Sequence, residues 1–331
     1  MANYGIGIIG AGDYLPNKIE TNEELCLNLD SITPEWIISK TGITKRYLAE
    51  SDETASGMAL KASLKAIKNS NINSNEIGLI IACTFSHDYL FPPLSSKIQK
   101  ELGATNAQVF DLQANCAGFV TGLTVASDRM LIDDLLKYAL VIGVELQTRY
   151  RDIENIETSM FLSDGAGAVI LGKVDKGYGI INSYFHSDTS TYESVRLRGG
   201  GSSFPYAGRS FDPKIDFMEM NGLATWKQAI TNLPISVKRL CEKSKISIED
   251  VDFVLFHQAN IALIHYVMKK MKISLNKTYT NVENIGNTGS ASLAIVLSET
   301  LQNNKINSEN IVILSAVGAG FIFGSSVWKW Q

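Results

Sequence analysis

Cys116 stands in the segment Asp111-Leu112-Gln113-Ala114-Asn115-Cys116-Ala117-Gly118-Phe119, between a short apolar run and a helical pattern. A lone cysteine is most often a small buried hydrophobe. This one opens a helix, and the positive end of a helix favours a thiolate, which predicts a lowered pKa. Ala117 and Gly118 leave room for a substrate carbonyl beside the sulfur. A thiol so placed is a candidate for covalent catalysis through an acyl thioester.

Such a nucleophile needs partners, and the chain has four histidines. His257, in Phe256-His257-Gln258-Ala259-Asn260, ends an apolar strand, and a strand end in an α/β sheet points into the crevice where ligands bind. His265 falls in a helical stretch and His186 among turn residues, while His87-Asp88 sits in a loop with no nucleophile beside it. No two histidines have ligand spacing, so no metal is expected. In Asn284-Ile285-Gly286-Asn287-Thr288-Gly289-Ser290-Ala291-Ser292, small residues suit close helix packing, yet the turn can also aim the Asn287 amide at a developing oxyanion. Gly318-Ala319-Gly320-Phe321 reads as a hairpin turn that can also offer backbone N–H groups to a thioester oxygen.

Alternating strand and helix patterns must carry these residues. Strands are expected at 6–10, 79–84, 108–112, 138–143, 166–171, 179–185, 253–256, 311–316 and 321–327. Helices are expected at 54–69, 93–102, 116–127, 224–243, 259–270 and 290–303, which predicts an α/β architecture. The turn-rich stretches 188–203 and 205–213 read as loops around a site mouth. The order strand, strand, buried helix, strand occurs twice, with residues 277–282 as the second copy's counterpart of 108–112. Halves of 1–172 and 173–331 follow, the first with the cysteine, the second with the histidine and asparagine.

Gly5, Gly7 and Gly10 spell GxGxxG, but they lie inside the first strand with no helix after them, so a dinucleotide site is not expected. The chain has 331 residues, 45% hydrophobic and 19% charged, with a net charge of -4. That composition fits a folded enzyme and gives no reason to expect nucleic acid. No apolar run suggests a membrane span, and no leader pattern is visible at the start. Four scattered cysteines read as reduced thiols, so a cytoplasmic protein is expected.

Taken together, these segments resemble the β-ketoacyl-acyl carrier protein synthase III family of the thiolase superfamily. The likeness runs over essentially the whole chain and includes Tyr14-Leu15-Pro16, Thr21-Asn22, Glu35-Trp36-Ile37, Thr41-Gly42-Ile43 and Asp164-Gly165-Ala166-Gly167-Ala168. It implies a duplicated thiolase-like fold in five layers, αβαβα, a homodimer and a Cys116–His257–Asn287 triad, with the backbone of Cys116 and Ala319 as oxyanion hole. It implies decarboxylative condensation: an acyl-CoA acylates Cys116, and a malonyl-acyl carrier protein supplies the enolate. It implies no metal or organic cofactor; coenzyme A and phosphopantetheine thioesters arrive as substrates. The resemblance assigns substrate and coenzyme A contacts to Trp36, Lys40, Gly222, Trp226 and Asn260, and the acyl pocket to Phe91, Gln147 and Leu162. Lys227, Lys269 and Lys270 would meet the carrier protein.

Several positions depart from the family pattern. Lys40, Ile156 and Ala262 stand where arginines are usual, Leu223 where a pantetheine-contacting asparagine is usual. Gln147 and Leu162 replace leucine and phenylalanine. These changes leave the chemistry intact and point to a specialised paralogue. Simple acyl transfer to oxygen, nitrogen or sulfur is the alternative, which Asn287 disfavours; an inactive partner subunit would have lost Cys116.

Overall fold

The computed structural model describes residues 3–331 and is built on two sheets. The first contains β1 (Tyr4–Tyr14), β2 (Ile77–Cys83), β3 (Gln108–Leu112), β4 (Tyr138–Glu145) and β5 (Gly165–Asp175), in the spatial order β1-β5-β4-β2-β3. β2 runs parallel to β3 and β4, and β5 runs antiparallel to β4 and β1. The second contains β6 (Gly179–Ser187), β7 (Phe253–Phe256), β8 (Ile311–Gly318) and β9 (Ile322–Lys329), in the order β6-β9-β8-β7. Its order and strand directions repeat those of the first sheet, less the final strand. The chain crosses between the sheets at residues 176–178.

The missing strand corrects an expectation. Residues 277–282 do not form a ladder: Leu275–Lys277 is a 3-10 turn and Val282–Ile285 a short helix. The physical reason lies in how the edge of β7 is satisfied. The Thr278 hydroxyl donates to Val254 O at 2.7 Å and Lys277 Nζ to Val251 O at 2.6 Å, so side chains take the carbonyls a strand would have taken. Gly5, Gly7 and Gly10 do lie within β1, paired with Val174, Gly172 and Ile170 of β5.

Helices complete five layers. α1 (Ala55–Ser70) and α2 (Leu94–Leu102) cover the outer face of the first sheet. α3 (Gly118–Ile132) lies between the sheets. α4 (Gly222–Ser244) and α5 (Ile261–Lys270) cover the outer face of the second. α6 (Ser292–Gln302) joins α3 in the middle layer. Burial explains the sequence patterns. In β2, Ile80 and Ala82 face α1 and α2 while Leu79, Ile81 and Cys83 face α3 and α6, so the strand reads as one apolar run. α6 and the first turns of α3 are enclosed by both sheets and accordingly apolar, while the last turn of α3, with Asp128, Leu131 and Ile132, reaches the surface. Among the described residues no helix is long and apolar enough to cross a membrane.

Candidate active site

Three segments converge where the two halves meet. β3 ends at Leu112, and the chain turns through Asn115–Ala117, a 3-10 turn, before α3 begins at Gly118. Asn115 is left-handed, with φ 49°, a conformation asparagine tolerates better than most residues. Its Nδ2 donates to Ala319 O at 3.0 Å, tying the cysteine turn to the turn after β8. Gly318 permits that approach: a Cβ there would lie 2.3 Å from Ala114 O.

His257 follows β7 directly. Its N–H donates to Ser315 O at 2.9 Å, which extends the parallel ladder and fixes the backbone that carries the ring. The ring is buried, and Nδ1 meets the hydroxyl of Ser292, the first residue of α6. Burial holds the imidazole down at about 4, so it is neutral at pH 7.

Asn287 is held by its own backbone. Its N–H donates to Phe161 O at 2.8 Å, and its carbonyl accepts from Ser163 N at 2.9 Å. Its Oδ1 accepts from Gly289 N at 2.9 Å, which orients the amide and leaves the NH2 end for a ligand. Gly289 has φ 58°, and a Cβ on it would lie 2.7 Å from Glu145 Cγ. Behind this loop, the buried Arg46 donates to Met160 O through Nε and Nη2 at 3.0 and 2.8 Å.

Cys116, His257 and Asn287 line one cavity of ≈150 Å³, together with Gly222, Trp226, Asn260 and Ala319. Of the two stretches read as mouth loops, 188–203 contributes Val195 to the same wall, beside its strand partner Met220, and 205–213 contributes nothing to it. Asn260 anchors the rim: Oδ1 caps α5 at Ala262 N, 2.8 Å away, and Nδ2 donates to Lys40 O at 2.9 Å. That bond ties the helix Pro34–Thr41, with Trp36 and Lys40, to the cavity mouth. Lys40 Nζ sits 5.7 Å from the centre of the half-exposed Trp36 ring.

Other expected residues lie outside this cavity lining: Trp36, Lys40, Phe91, Gln147, Leu162, Lys227, Lys269 and Lys270. Phe91 is 85% exposed. Gln147 is buried, with Nε2 turned onto the carbonyls of Asn287 and Ser163. Leu162 is buried in a bridge to Asn287. Lys270 Nζ is bound to Ile230 O at 2.9 Å. Among the other histidines, His186 corrects an expectation: it belongs to β6, not a turn, and stacks on Phe323 at 4.9 Å. His87 approaches Asp111 at 3.6 Å, while Asp88 binds Ser56 and Lys97.

The lowered thiol pKa expected of Cys116 is also corrected. Burial pushes the thiol up to about 12, and the charge of Glu145 adds to the rise; the cysteine's own N–H opposes them weakly. Desolvation outweighs the favourable end of the turn. Glu145 itself is a group that sequence reasoning missed. It ends β4, accepts from Ser86 Oγ at 2.6 Å and Thr84 Oγ1 at 3.2 Å, and is raised by burial to about 7. Cys116 and His257 therefore rest as neutral thiol and neutral imidazole.

The chain resembles known proteins over nearly its whole length. Residues 110–189 match the family model of 3-oxoacyl-[acyl-carrier-protein] synthase III, and residues 241–330 match that of its C-terminal part. The chain is 38% identical to a β-ketoacyl-[acyl-carrier-protein] synthase III of Rickettsia felis, over 98% of this chain and 99% of the other. The solved 3-oxoacyl-[acyl-carrier-protein] synthase III of Aquifex aeolicus superimposes with a TM-score of 0.90 at 29% identity, covering 98% and 100% of the two chains. The priming β-ketosynthase of the R1128 polyketide pathway superimposes with a TM-score of 0.91 at 28% identity, covering 99% and 97%. The chain belongs to the 3-oxoacyl-[acyl-carrier-protein] synthase III family.

Proposed function

We propose that this chain is a decarboxylating ketosynthase that carries an acyl group on Cys116 and condenses it with a malonyl thioester. The observation that carries the reading is the shared cavity of Cys116, His257 and Asn287, with Asn287 Oδ1 engaged by Gly289 N–H. The thiol sulfur bonds to the acyl carbon, the bond to the carrier sulfur breaks, and the departing thiol takes the proton. Backbone N–H groups of Cys116 and Ala319 stabilise the oxyanion of that step. The malonyl thioester then loses carbon dioxide, with its carbonyl held by N–H donors of His257 and Asn287. The enolate carbon attacks the acyl carbon, Cys116 leaves as thiolate and regains a proton from water, and a β-ketoacyl thioester results.

An acyl-CoA serves as primer and a malonyl-acyl carrier protein as extender; no metal or organic cofactor takes part. Trp36, Lys40, Trp226, Asn260 and Gly222 form the entry for the thioester arm, and Lys227, Lys269 and Lys270 the contact for the carrier. Phe91, Gln147 and Leu162 bear on the acyl end. Leu223, Ile156 and Ala262 replace polar contacts with apolar ones and support a specialised paralogue with a dedicated carrier. Two copies associate through the open edge of β3, beside which Leu90 and Phe91 are 86% and 85% exposed.

Intact-protein mass spectrometry after incubation with a panel of acyl thioesters tests the first half. An acyl mass gain located on Cys116, followed by its loss on adding malonyl carrier with release of a β-ketoacyl thioester, supports the reading. Acylation without condensation would turn the assignment to simple acyl transfer. Light scattering at assay concentration checks the dimer, and a fully active monomer would overturn it.

A further inference from the structure

The site contains a positioning residue that fixes which nitrogen of His257 carries the proton. Ser292 Oγ lies against His257 Nδ1 and also accepts from Gln258 N at 3.2 Å. A serine oxygen can accept two hydrogen bonds, but its one hydrogen must go to an acceptor. Among the described residues, Ser292 Oγ has no hydrogen-bond partner besides Gln258 N and His257 Nδ1. Gln258 N is a donor and cannot receive that hydrogen. Ser292 is 2% exposed, so water does not offer an easy alternative. The accounting leaves His257 Nδ1 as the acceptor.

We propose that Ser292 donates its hydroxyl hydrogen to His257 Nδ1 and so holds the imidazole as the tautomer protonated at Nε2, the form able to donate a hydrogen bond into the cavity. The proposal deepens the ketosynthase reading and rests on it only for its catalytic consequence. Two further features agree with it. Burial keeps the ring neutral, so one nitrogen bears a proton and the other does not. Ser292 opens α6 and His257 follows β7 directly, so the hydroxyl and the ring are held at the ends of two packed elements of the core.

The arrangement has a chemical corollary. With Nε2 protonated and Nδ1 occupied, resting His257 has no free lone pair with which to take the Cys116 proton. In acylation that proton leaves with the departing thiol. His257 acts instead in the second half, where its Nε2–H holds the thioester carbonyl as carbon dioxide departs and the enolate forms. Loss of Ser292 is therefore expected to separate the two half-reactions.

The test is 15N NMR of histidine-labelled protein, with His257 assigned by comparison with a His257→Asn variant. The wild type should show Nε2 protonated and Nδ1 bare, and Ser292→Ala should move the ring to a mixture of tautomers. Ser292→Thr, which keeps a hydroxyl, should hold the wild-type pattern. Malonyl decarboxylation by Ser292→Ala should fall on the order of a hundred-fold in kcat, with KM little changed and Cys116 acylation much less affected. A wild-type ring protonated at Nδ1 would overturn the proposal without any variant, even if Ser292→Ala fails to fold. An unchanged tautomer in Ser292→Ala would overturn it too. A shifted tautomer with undiminished decarboxylation would remove the catalytic role. If the wild type condenses nothing, the ketosynthase reading fails while the tautomer measurement still decides this one.

Discussion

The side-chain amide of Gln147 donates to the main-chain carbonyl of Asn287 and, at 3.1 Å, to that of Ser163. Ser163 N already donates to the Asn287 carbonyl, so Gln147 clamps both sides of the short bridge that carries Asn287. A leucine here would keep most of the volume but leave Ser163 O without its side-chain donor. Gln147→Leu is expected to cost roughly 1–3 kcal/mol of stability, the usual range for a buried carbonyl left unpaired. Malonyl decarboxylation should drop more than Cys116 acylation, because in the proposed reaction only the former uses the Asn287 amide. Chemical denaturation and separate assays of the two half-reactions check this; equal losses in both would remove Gln147 as a clamp.

The same division of labour predicts the outcome at the triad. Cys116→Ala should fold normally and show no acyl mass gain, since alanine fits the turn but cannot form a thioester. Asn287→Ala should still acylate at Cys116 while decarboxylation falls about a hundred- to thousand-fold, the common cost of losing one oxyanion donor. Mass spectrometry reports the first step and carbon dioxide release the second. Acyl-enzyme on Cys116→Ala would move the nucleophile elsewhere.

Glu145 gives a pH prediction with a definite sign. Its folded-state pKa of about 7 lies above the ordinary 4.5, so the folded protein holds this proton more tightly than the unfolded chain does. The stability it contributes is fully present below pH 4.5 and is lost as pH rises through about 7. His257 acts oppositely: its folded value of about 4 lies below 6.5, so its contribution is present above 6.5 and lost as pH falls through about 4. Glu145→Gln should flatten the alkaline side of this profile, by an amount on the order of a few kcal/mol between pH 4.5 and 7 at most. Because Glu145 also adds to the raised thiol pKa, alkylation of Cys116 at pH 8 and above should quicken in the variant. An unchanged stability profile and alkylation rate would show that Glu145 stays protonated throughout.

The parts of this site legible in the sequence are those whose signal is local. Cys116 follows a strand and opens a helix, His257 ends a strand, and Asn287 sits in a run of small residues, so each announces itself within about ten positions. Ser292, Gln147 and Glu145 do not, because their partners lie 35, 140 and about 60 residues away. The thiol pKa misled for a related reason: the helix end is visible in the sequence, while the burial that overrides it comes from both halves of the fold. The nine strands of the two large sheets were legible because burial between layers makes them apolar runs bounded by turns; the short strand pairs 18–21 with 45–48 and 195–196 with 219–220 carry no such run and were not. The absent tenth was not, since Thr278 and Lys277 fill the edge of β7 with side chains that a strand pattern also allows.

Carrier choice gives the last prediction. Ala262 is exposed in the first turn of α5, and Lys269 and Lys270 close the same helix. Asn260, which lines the cavity, caps that helix through Ala262 N, so position 262 stands at the rim where a carrier's phosphopantetheine arm would enter. An arginine there would add a positive charge at the rim, where it would draw in a carrier that presents an acidic surface. Rim charges act chiefly on association rate and partner choice rather than on chemistry after docking. Ala262→Arg is therefore expected to raise kcat/KM for a housekeeping malonyl carrier, with kcat nearly constant. The gain should be largest at low salt and fade as ionic strength approaches 0.15 M, where the screening length falls to about 8 Å. The same substitution should change little with a small malonyl thioester that has no carrier protein, because nothing acidic then meets position 262. If the wild type already takes the housekeeping carrier efficiently and the arginine alters neither kcat/KM nor its salt dependence, the alanine has no bearing on docking, and the case for a dedicated carrier loses its main support.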